Sequence, residues 1–280
     1  MFGRKALDVK TPDQIRKMRA AGLVVGQTLD LIRVRASAGV TTGELDRAAE
    51  EFIRSNGATP SFLGYHGFTG SLCVSVNDEV VHGIPGSRSL REGDLVSIDC
   101  GAIVDGWHGD AAISLVVGGR AAGSARDCAL MDATEASMWA GIAALSVGSP
   151  LYDVGAAVED SISEAARADG VTYGIVEDYV GHGIGTEMHQ EPQVPNYRVR
   201  DRGPIVRSGV TVAIEPMVTL GSPETDVLKD DWTVVTQDGS RAAHWEHSVA
   251  VTDDGIWVLT ALDGGQEMLE ARGAAYAPLA

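Results

Sequence analysis

The order of predicted elements places this chain in the α+β class, with helices packed outside one shared sheet. Two observations carry that reading. A pair of helical segments followed by short, β-branched segments occurs twice along the 280 residues, and no Ser/Gly/Pro-rich linker separates the halves. The whole chain, 1–280, is therefore read as one domain containing a duplicated unit, although the two halves share no visible sequence identity.

The elements follow in order. Thr11-Pro12-Asp13 starts a helix, with a capping hydroxyl and then a proline whose missing N–H is harmless in the first turn. Ile15, Met18, Leu23, Val24, Leu29 and Ile32 recur at helical spacing to about Val34. A second helix is predicted over 43–56, capped by Thr42 and stopped by Gly57. Strands are predicted at 71–76, 95–104 and 107–117, then helices near 126–145 and 151–169, the latter closed by Gly170. Strands return at 210–220, 232–236 and 246–251. Residues 1–10 and 263–280 are read as peripheral termini.

A formal charge of −17 argues against nonspecific attraction to nucleic acid or anionic lipid. No apolar run is long enough to span a bilayer, and residues 1–10 lack the apolar core of a signal peptide. Cys73, Cys100 and Cys128 form no CxxC pair; an odd thiol count without a secretion signal points to the reducing cytoplasm. H-E-x-x-H, G-x-S-x-G and Walker A motifs are absent, and Gly181-His182-Gly183-Ile184-Gly185 is no dinucleotide fingerprint because position 186 is Thr.

Four acids and one imidazole lie in short glycine-, proline- or strand-rich contexts: Asp99 (S-I-D-C-G), Asp110 (H-G-D-A-A), His182 (G-H-G-I-G), Glu215 (A-I-E-P-M) and Glu246 (H-W-E-H-S). An oxygen-rich set of this kind suits a pair of divalent cations better than one tetrahedral zinc. Asp99 and Asp110 flank Ile103-Val104-Asp105-Gly106, a hairpin connection; centred between Val104 and Asp105, it sets the two carboxylates opposite each other at about 5 Å. Acids that close repel unless a cation bridges them. Glu215 ends an apolar run and is fixed by Pro216; Glu246 heads Ser-Val-Ala-Val. Taken singly, each of these residues also has an ordinary structural reading as a turn residue or strand-end charge. His82 and His189 are further histidines in glycine- or proline-defined contexts.

Together the motifs resemble methionine aminopeptidase of type I, a family with the pita-bread fold. The resemblance runs from Lys10-Thr11-Pro12 to about Thr260. It includes Leu63-Gly-Tyr-His-Gly-Phe68, Val81-His-Gly-Ile-Pro85, Ser97-Ile-Asp99, His108-Gly-Asp110, Gly181-His-Gly-Ile-Gly185, His189-Gln-Glu-Pro-Gln193, Ile214-Glu-Pro-Met217 and Trp245-Glu-His247. It implies pseudo-twofold α-β units around a curved, mostly antiparallel sheet, and two divalent ions (Co²⁺, Mn²⁺, Fe²⁺ or Zn²⁺) held by Asp99, Asp110, His182, Glu215 and Glu246. It further implies removal of the initiator methionine, with preference for a small second residue. Glu215 would move the proton of the attacking water, His189 would stabilise the developing oxyanion, and His82 would contact the scissile amide nitrogen. By position, Phe62, Tyr65, Phe68, Cys73, Met188 and Trp232 would form the methionine pocket, whose aromatic and sulfur groups suit a thioether. The implied partners are N-terminal methionines of nascent chains, with transient ribosome association, no specific nucleic acid, no membrane, and a monomeric state.

Met188, Gln190, His244 and Ala111 depart from the commoner family pattern of Phe, Glu, Gln and Thr, without removing a ligand. They bear on pocket shape and on any secondary monovalent-ion site. Three alternatives are weighed. Prolidase-like enzymes resemble longer chains with a separate N-terminal domain, whereas about ten residues precede the first helix here. Type II relatives carry a long insertion between the last two glutamates, whereas 31 positions separate Glu215 from Glu246. Non-catalytic pita-bread binding modules have lost ligands, and here all five positions are filled.

Overall fold

The structure, a computed structural model, describes residues 7–279; of the N-terminal segment expected to be peripheral, residues 1–6 lie outside the described residues. Helix α1 (Pro12–Arg35) starts on a capping box in which Gln14 N–H donates to Thr11 Oγ1 and Thr11 N–H to Gln14 Oε1. Helix α2 (Thr42–Ser55) is capped by Thr41, one residue before the expected Thr42. The reason lies three positions on: Thr41 finds Glu44 to return the hydrogen bond, whereas Thr42 would find Leu45. Helix α3 (Ala125–Ala143) begins on a Ser124/Asp127 box. Helix α4 (Asp153–Asp169) ends on left-handed Gly170 (φ 64°), as expected, but begins two residues later than predicted.

Nine strands form the main sheet: β1 (Thr59–Pro60), β2 (Leu72–Val76), β3 (Leu95–Val104), β4 (Trp107–Val116), β5 (Gly181–Gly183), β6 (Gln190–Val194), β7 (Thr211–Ile214), β8 (Glu246–Val251) and β9 (Ile256–Val258). The path runs β1-β3-β4-β8-β7-β5-β6, with β2 on β3 and β9 on β8, and every strand pairing described is antiparallel. Two three-stranded sheets accompany it, one joining Gly174–Ile175, Met217–Thr219 and Ala242–His244, the other Glu79–Val81, Thr225–Val227 and Val234–Thr236. The main core threads between the helices and the large sheet, from Val25, Leu29 and Ile32 through Ile98, Ile113 and Val249 to Leu130, Met138 and Ile142.

The central hairpin corrects one expectation. The turn is Asp105-Gly106, both with positive φ (50° and 78°), so Val104 pairs with Trp107, Asp99 with Ala112 and Asp110 with Gly101. Asp99 and Asp110 are therefore diagonal neighbours rather than direct partners. They remain on one face, because the shift moves the pairing by two residues and preserves the alternation. A two-residue Asp-Gly loop with positive φ at both positions is favoured because it matches the right-handed twist of the flanking strands.

The predicted strand 210–220 is two strands, broken at Glu215-Pro216, because proline has no N–H for a central ladder. The break has a twin. Ala242–His244 lies in the small sheet and β8 in the large one, separated by Trp245. Across both breaks the register is unbroken: Ile214 pairs with His247, Trp245 N–H reaches Pro216 O, and Met217 pairs with His244. One bent ladder thus feeds two sheets. The predicted strand 232–236 is shorter, Val234–Thr236, since Asp230 draws the N–H groups of Trp232 and Thr233 into a turn.

The segment 263–280, expected to be peripheral, is packed where it is described. A short helix, α5 (Gln266–Ala271), buries Leu269 completely, and Ile256 exchanges hydrogen bonds with Ala275 and Ala277. Arg19 of α1 gathers the carbonyls of Val258, Leu259, Ala261 and Leu262, binding the first helix to this end of the chain.

Candidate active site

The register builds the site. Cys73 pairs with Asp99, Asp99 with Ala112 and Ala112 with Glu246, so these side chains share one row on one face across β2, β3, β4 and β8. Ala112, between the two acids, is small enough to leave the space over it open. Unbroken register at the bend sets Glu215 opposite Glu246. Asp110 sits two residues along β4, and His182 of β5 pairs with Ala213 of β7. The ladder between β4 and β8 stops after two residues. Beyond it, the Ser248 hydroxyl accepts from Asp110 N–H (3.0 Å) and donates to Asp110 O (2.8 Å), fixing the backbone that carries the acid.

Every residue that the resemblance assigned to the site lines a single cavity of about 110 Å³: Asp99, Asp110, His182, Glu215 and Glu246; His82 and His189; and Phe62, Tyr65, Phe68, Cys73, Met188 and Trp232. Val81 also lines it and was not anticipated. Donor atoms of Asp110, His182 and Glu246 lie within 4.8 Å of one another, as do those of Glu215, His244 and Glu246. His182 Nε2 is 3.4 Å from Glu215 Oε1.

Four acids in one buried cavity disturb each other's ionisation. Burial pushes the Asp99 carboxyl up to about 7 even though hydrogen bonds from Asp110 and Cys100 N–H oppose it. Burial, then the charges of neighbouring acids, pushes Asp110, Glu215 and Glu246 well above the usual carboxylate range. Without cations, burial and mutual repulsion disfavour their ionised forms. The residues fit divalent cations on a further observation: Asp99 Oδ1, Asp110 Oδ1, Glu246 Oε1 and His244 Nε2 are buried with no hydrogen-bond partner among the described residues. Orphaned buried oxygens are destabilising unless something positive meets them.

The apolar half is a cluster of Phe62, Phe68, Cys73 and Met188, flanked by Tyr65, Ile84 and Trp232. Phe68 and Trp232 meet edge to face at 5.0 Å. Phe62 lies over β3 only because residue 101 is glycine, where a Cβ would stand 2.8 Å from Phe62 Cε1. An aromatic and sulfur wall of this kind suits an unbranched thioether.

His189 stacks edge-on to His182 with ring centres 4.4 Å apart, and Tyr65 Oη lies 2.8 Å from His189 Nδ1. Burial, then His66, lowers the pKa of His189, so its imidazole is neutral near pH 7. A phenol is an acceptor as well as a donor, but donation to Nδ1 leaves the proton on Nε2. His82 holds a left-handed backbone (φ 59°), packs against Tyr179 and Trp232, and is lowered to about 4 by burial and by His189. Two histidines beside the cluster were not chosen from the sequence. His244, noted there only as a departure from pattern, has Nε2 3.9 Å from Glu215 Oε2. His108 takes a 3.0 Å hydrogen bond at Nδ1 with Ser61 Oγ. The signal for both was adjacency to a chosen acid, two residues away in each case.

The chain is similar to known proteins along most of its length. A methionine aminopeptidase 1 of Mycobacterium tuberculosis is 53% identical over 259 residues, covering 92% of this chain and 96% of that protein. A crystal structure of methionine aminopeptidase from Rickettsia prowazekii superimposes with a TM-score of 0.86 at 36% identity, covering 91% of this chain and all of that one. A prolidase from Pyrococcus furiosus shares the fold alone, with a TM-score of 0.69 at 19% identity over 90% of this chain and 65% of its own. These matches bear out the expected pita-bread fold with its large antiparallel sheet. The description Metallopeptidase family M24 matches residues 16–253, and the chain belongs to that family.

Proposed function

We propose that the chain is a metal-dependent methionyl aminopeptidase, removing the N-terminal methionine of nascent polypeptides when a small residue follows. One observation carries the reading: the apolar slot of Phe62, Phe68, Cys73 and Met188 opens directly onto the cluster of four acids and His182. A methionine side chain seated in that slot would bring the first peptide bond of a chain to the acids.

Asp99, Asp110, His182, Glu215 and Glu246 would hold two divalent cations, drawn from Co²⁺, Mn²⁺, Fe²⁺ or Zn²⁺, all compatible with this donor set. When bound, the cations offset the repulsion among the acids, acidify the attacking water and polarise the scissile carbonyl. Glu215, at the bend and in reach of two imidazoles, accepts the water's proton and delivers it to the departing amine. His189, its Nδ1 occupied by Tyr65, presents Nε2–H to the oxygen that becomes negative. His82 is neutral near pH 7 and offers a hydrogen bond to the scissile nitrogen without adding a repelling charge beside the α-amine. The methionine side chain fills the slot between Phe62, Phe68, Met188 and Trp232. We assign the protein to the cytoplasm as a monomer engaging nascent chains; no helix of the described residues is long and apolar enough to cross a membrane.

The test is a peptide panel with Mn²⁺ or Co²⁺ present. Methionine should be released from Met-Gly-Met, with no release from Xaa-Pro peptides. Release from Xaa-Pro peptides alone would transfer the chain to the prolidase-like activity. Tight metal binding with release from neither would make it a binding module.

A further inference from the structure

His244 ends the Ala242–His244 strand, is 1% exposed, and has an Nε2 atom without a hydrogen-bond partner among the described residues. That atom lies 3.9 Å from Glu215 Oε2, too far for a hydrogen bond. It is nevertheless a separation that two donors can have when they share one ion, since bonds of about 2.0–2.2 Å span ~3–4 Å between donors. His182 Nε2 stands 3.4 Å from the other oxygen, Glu215 Oε1. Glu215 is thus flanked by an imidazole on each side, and Glu246 belongs to both donor groups.

The backbone of His244 is also held by the hairpin that carries Asp99 and Asp110. Its N–H donates to Ser97 Oγ (3.2 Å) and Ser114 Oγ (3.0 Å), and Ser114 Oγ donates to its carbonyl (2.9 Å). Ser97 and Ser114 are buried cross-strand partners whose hydroxyls meet at 2.9 Å. The same two strands that place the acids therefore place this imidazole, and no described residue satisfies its Nε2 atom.

We propose that His244 Nε2 is a sixth donor of the metal centre, taking a divalent cation together with Glu215 and Glu246. This rests on the metal-dependent reading above and adds a second nitrogen to the donor set. A second imidazole shifts preference from Mn²⁺ toward Fe²⁺, Co²⁺ and Zn²⁺, which favour nitrogen more strongly.

The test uses the full chain stripped of metal and titrated with Mn²⁺ or Co²⁺, comparing wild type with His244→Gln, His244→Phe and His182→Gln. Spin-echo modulation on the Mn²⁺ form should count two coordinated imidazole nitrogens in wild type and one in each variant. Calorimetry should show Co²⁺ affinity falling by at least about tenfold in both His244 variants, with Mn²⁺ affected less; even outer partners of ligands act on this scale. A single imidazole in wild type, lost only in His182→Gln, would overturn the proposal. So would Co²⁺ affinity unchanged in His244→Phe, or restored by His244→Gln, which keeps an N–H but no imidazole. Should a variant fail to fold, the wild-type imidazole count decides. Two imidazoles with no methionine release would support this assignment while refuting the aminopeptidase reading.

Discussion

Replacing Tyr65 by Phe removes one oxygen and leaves the ring in the apolar wall, so it isolates the 2.8 Å hydrogen bond to His189 Nδ1. With the phenol donating, that bond would select the tautomer that presents Nε2–H to the oxyanion in the proposed role of His189. A neutral hydrogen bond is worth about 0.5–1.5 kcal/mol, which corresponds to roughly a 2- to 13-fold fall in kcat when the preference is lost. Removing the donor itself, in His189→Ala, should lower kcat by about 10²–10³-fold with metal content retained. The two effects must not add: in the His189→Ala background, Tyr65→Phe has no tautomer left to select and should be silent. Steady-state kinetics on Met-Gly-Met with metal analysis of each variant decides. An equal loss from Tyr65→Phe in both backgrounds would refute the tautomer argument, and loss of metal in His189→Ala would refute the oxyanion role.

Other outcomes follow from the same geometry. Glu246→Ala removes the acid common to both donor groups, so metal analysis should show markedly reduced occupancy; two metals with full activity would count against its role. Metal-free protein should lose stability as pH rises. The Asp99 pKa is raised to about 7 in the fold, so its contribution is complete below an unfolded value near 4, declines above it, and is gone once pH has passed about 7. Asp110, Glu215 and Glu246 are also raised by burial and by one another's charge, so they act in the same direction. Thermal unfolding of the chelated protein across that range should show the fall, and saturating Mn²⁺ should abolish it. Gly22→Ala puts a Cβ 2.1 Å from the Leu259 carbonyl oxygen, backbone against backbone, and should lower stability by about 1–3 kcal/mol in urea unfolding. A neutral result there would mean that α1 and the Leu259 segment separate easily.

The sequence made some parts of this molecule plain and hid others for identifiable reasons. β3 and β8 were legible to the residue because both are β-branched, apolar and bounded by turns or aromatic breaks. α2 was misplaced at its start by one residue, since two adjacent threonines compete and only the partner at Glu44 separates them. β5 and β6 were not seen: Gly181-His182-Gly183 and Gln190–Val194 have little intrinsic strand preference and are held by β7 and by each other. The break at Glu215-Pro216 was legible in principle, because proline cannot sit inside a central ladder. At the site, five scattered donors were recognisable through local motifs. His244 was passed over because its importance lies in a cross-strand partner, Met217, and a seam between sheets that no local window displays.

The bent ladder has a mechanical corollary. Glu215 and Glu246 sit on facing rungs of a single crease, so a displacement of the buried Met217–Thr219/Ala242–His244 ladder would carry both together. Their mutual spacing would be preserved while their reach toward His182 and Asp99, anchored on separate strands, would be altered. Substitutions at the Gly174–Ile175 margin of that small sheet, away from His244, would then act as a trim on catalytic power without touching any group at the metal centre.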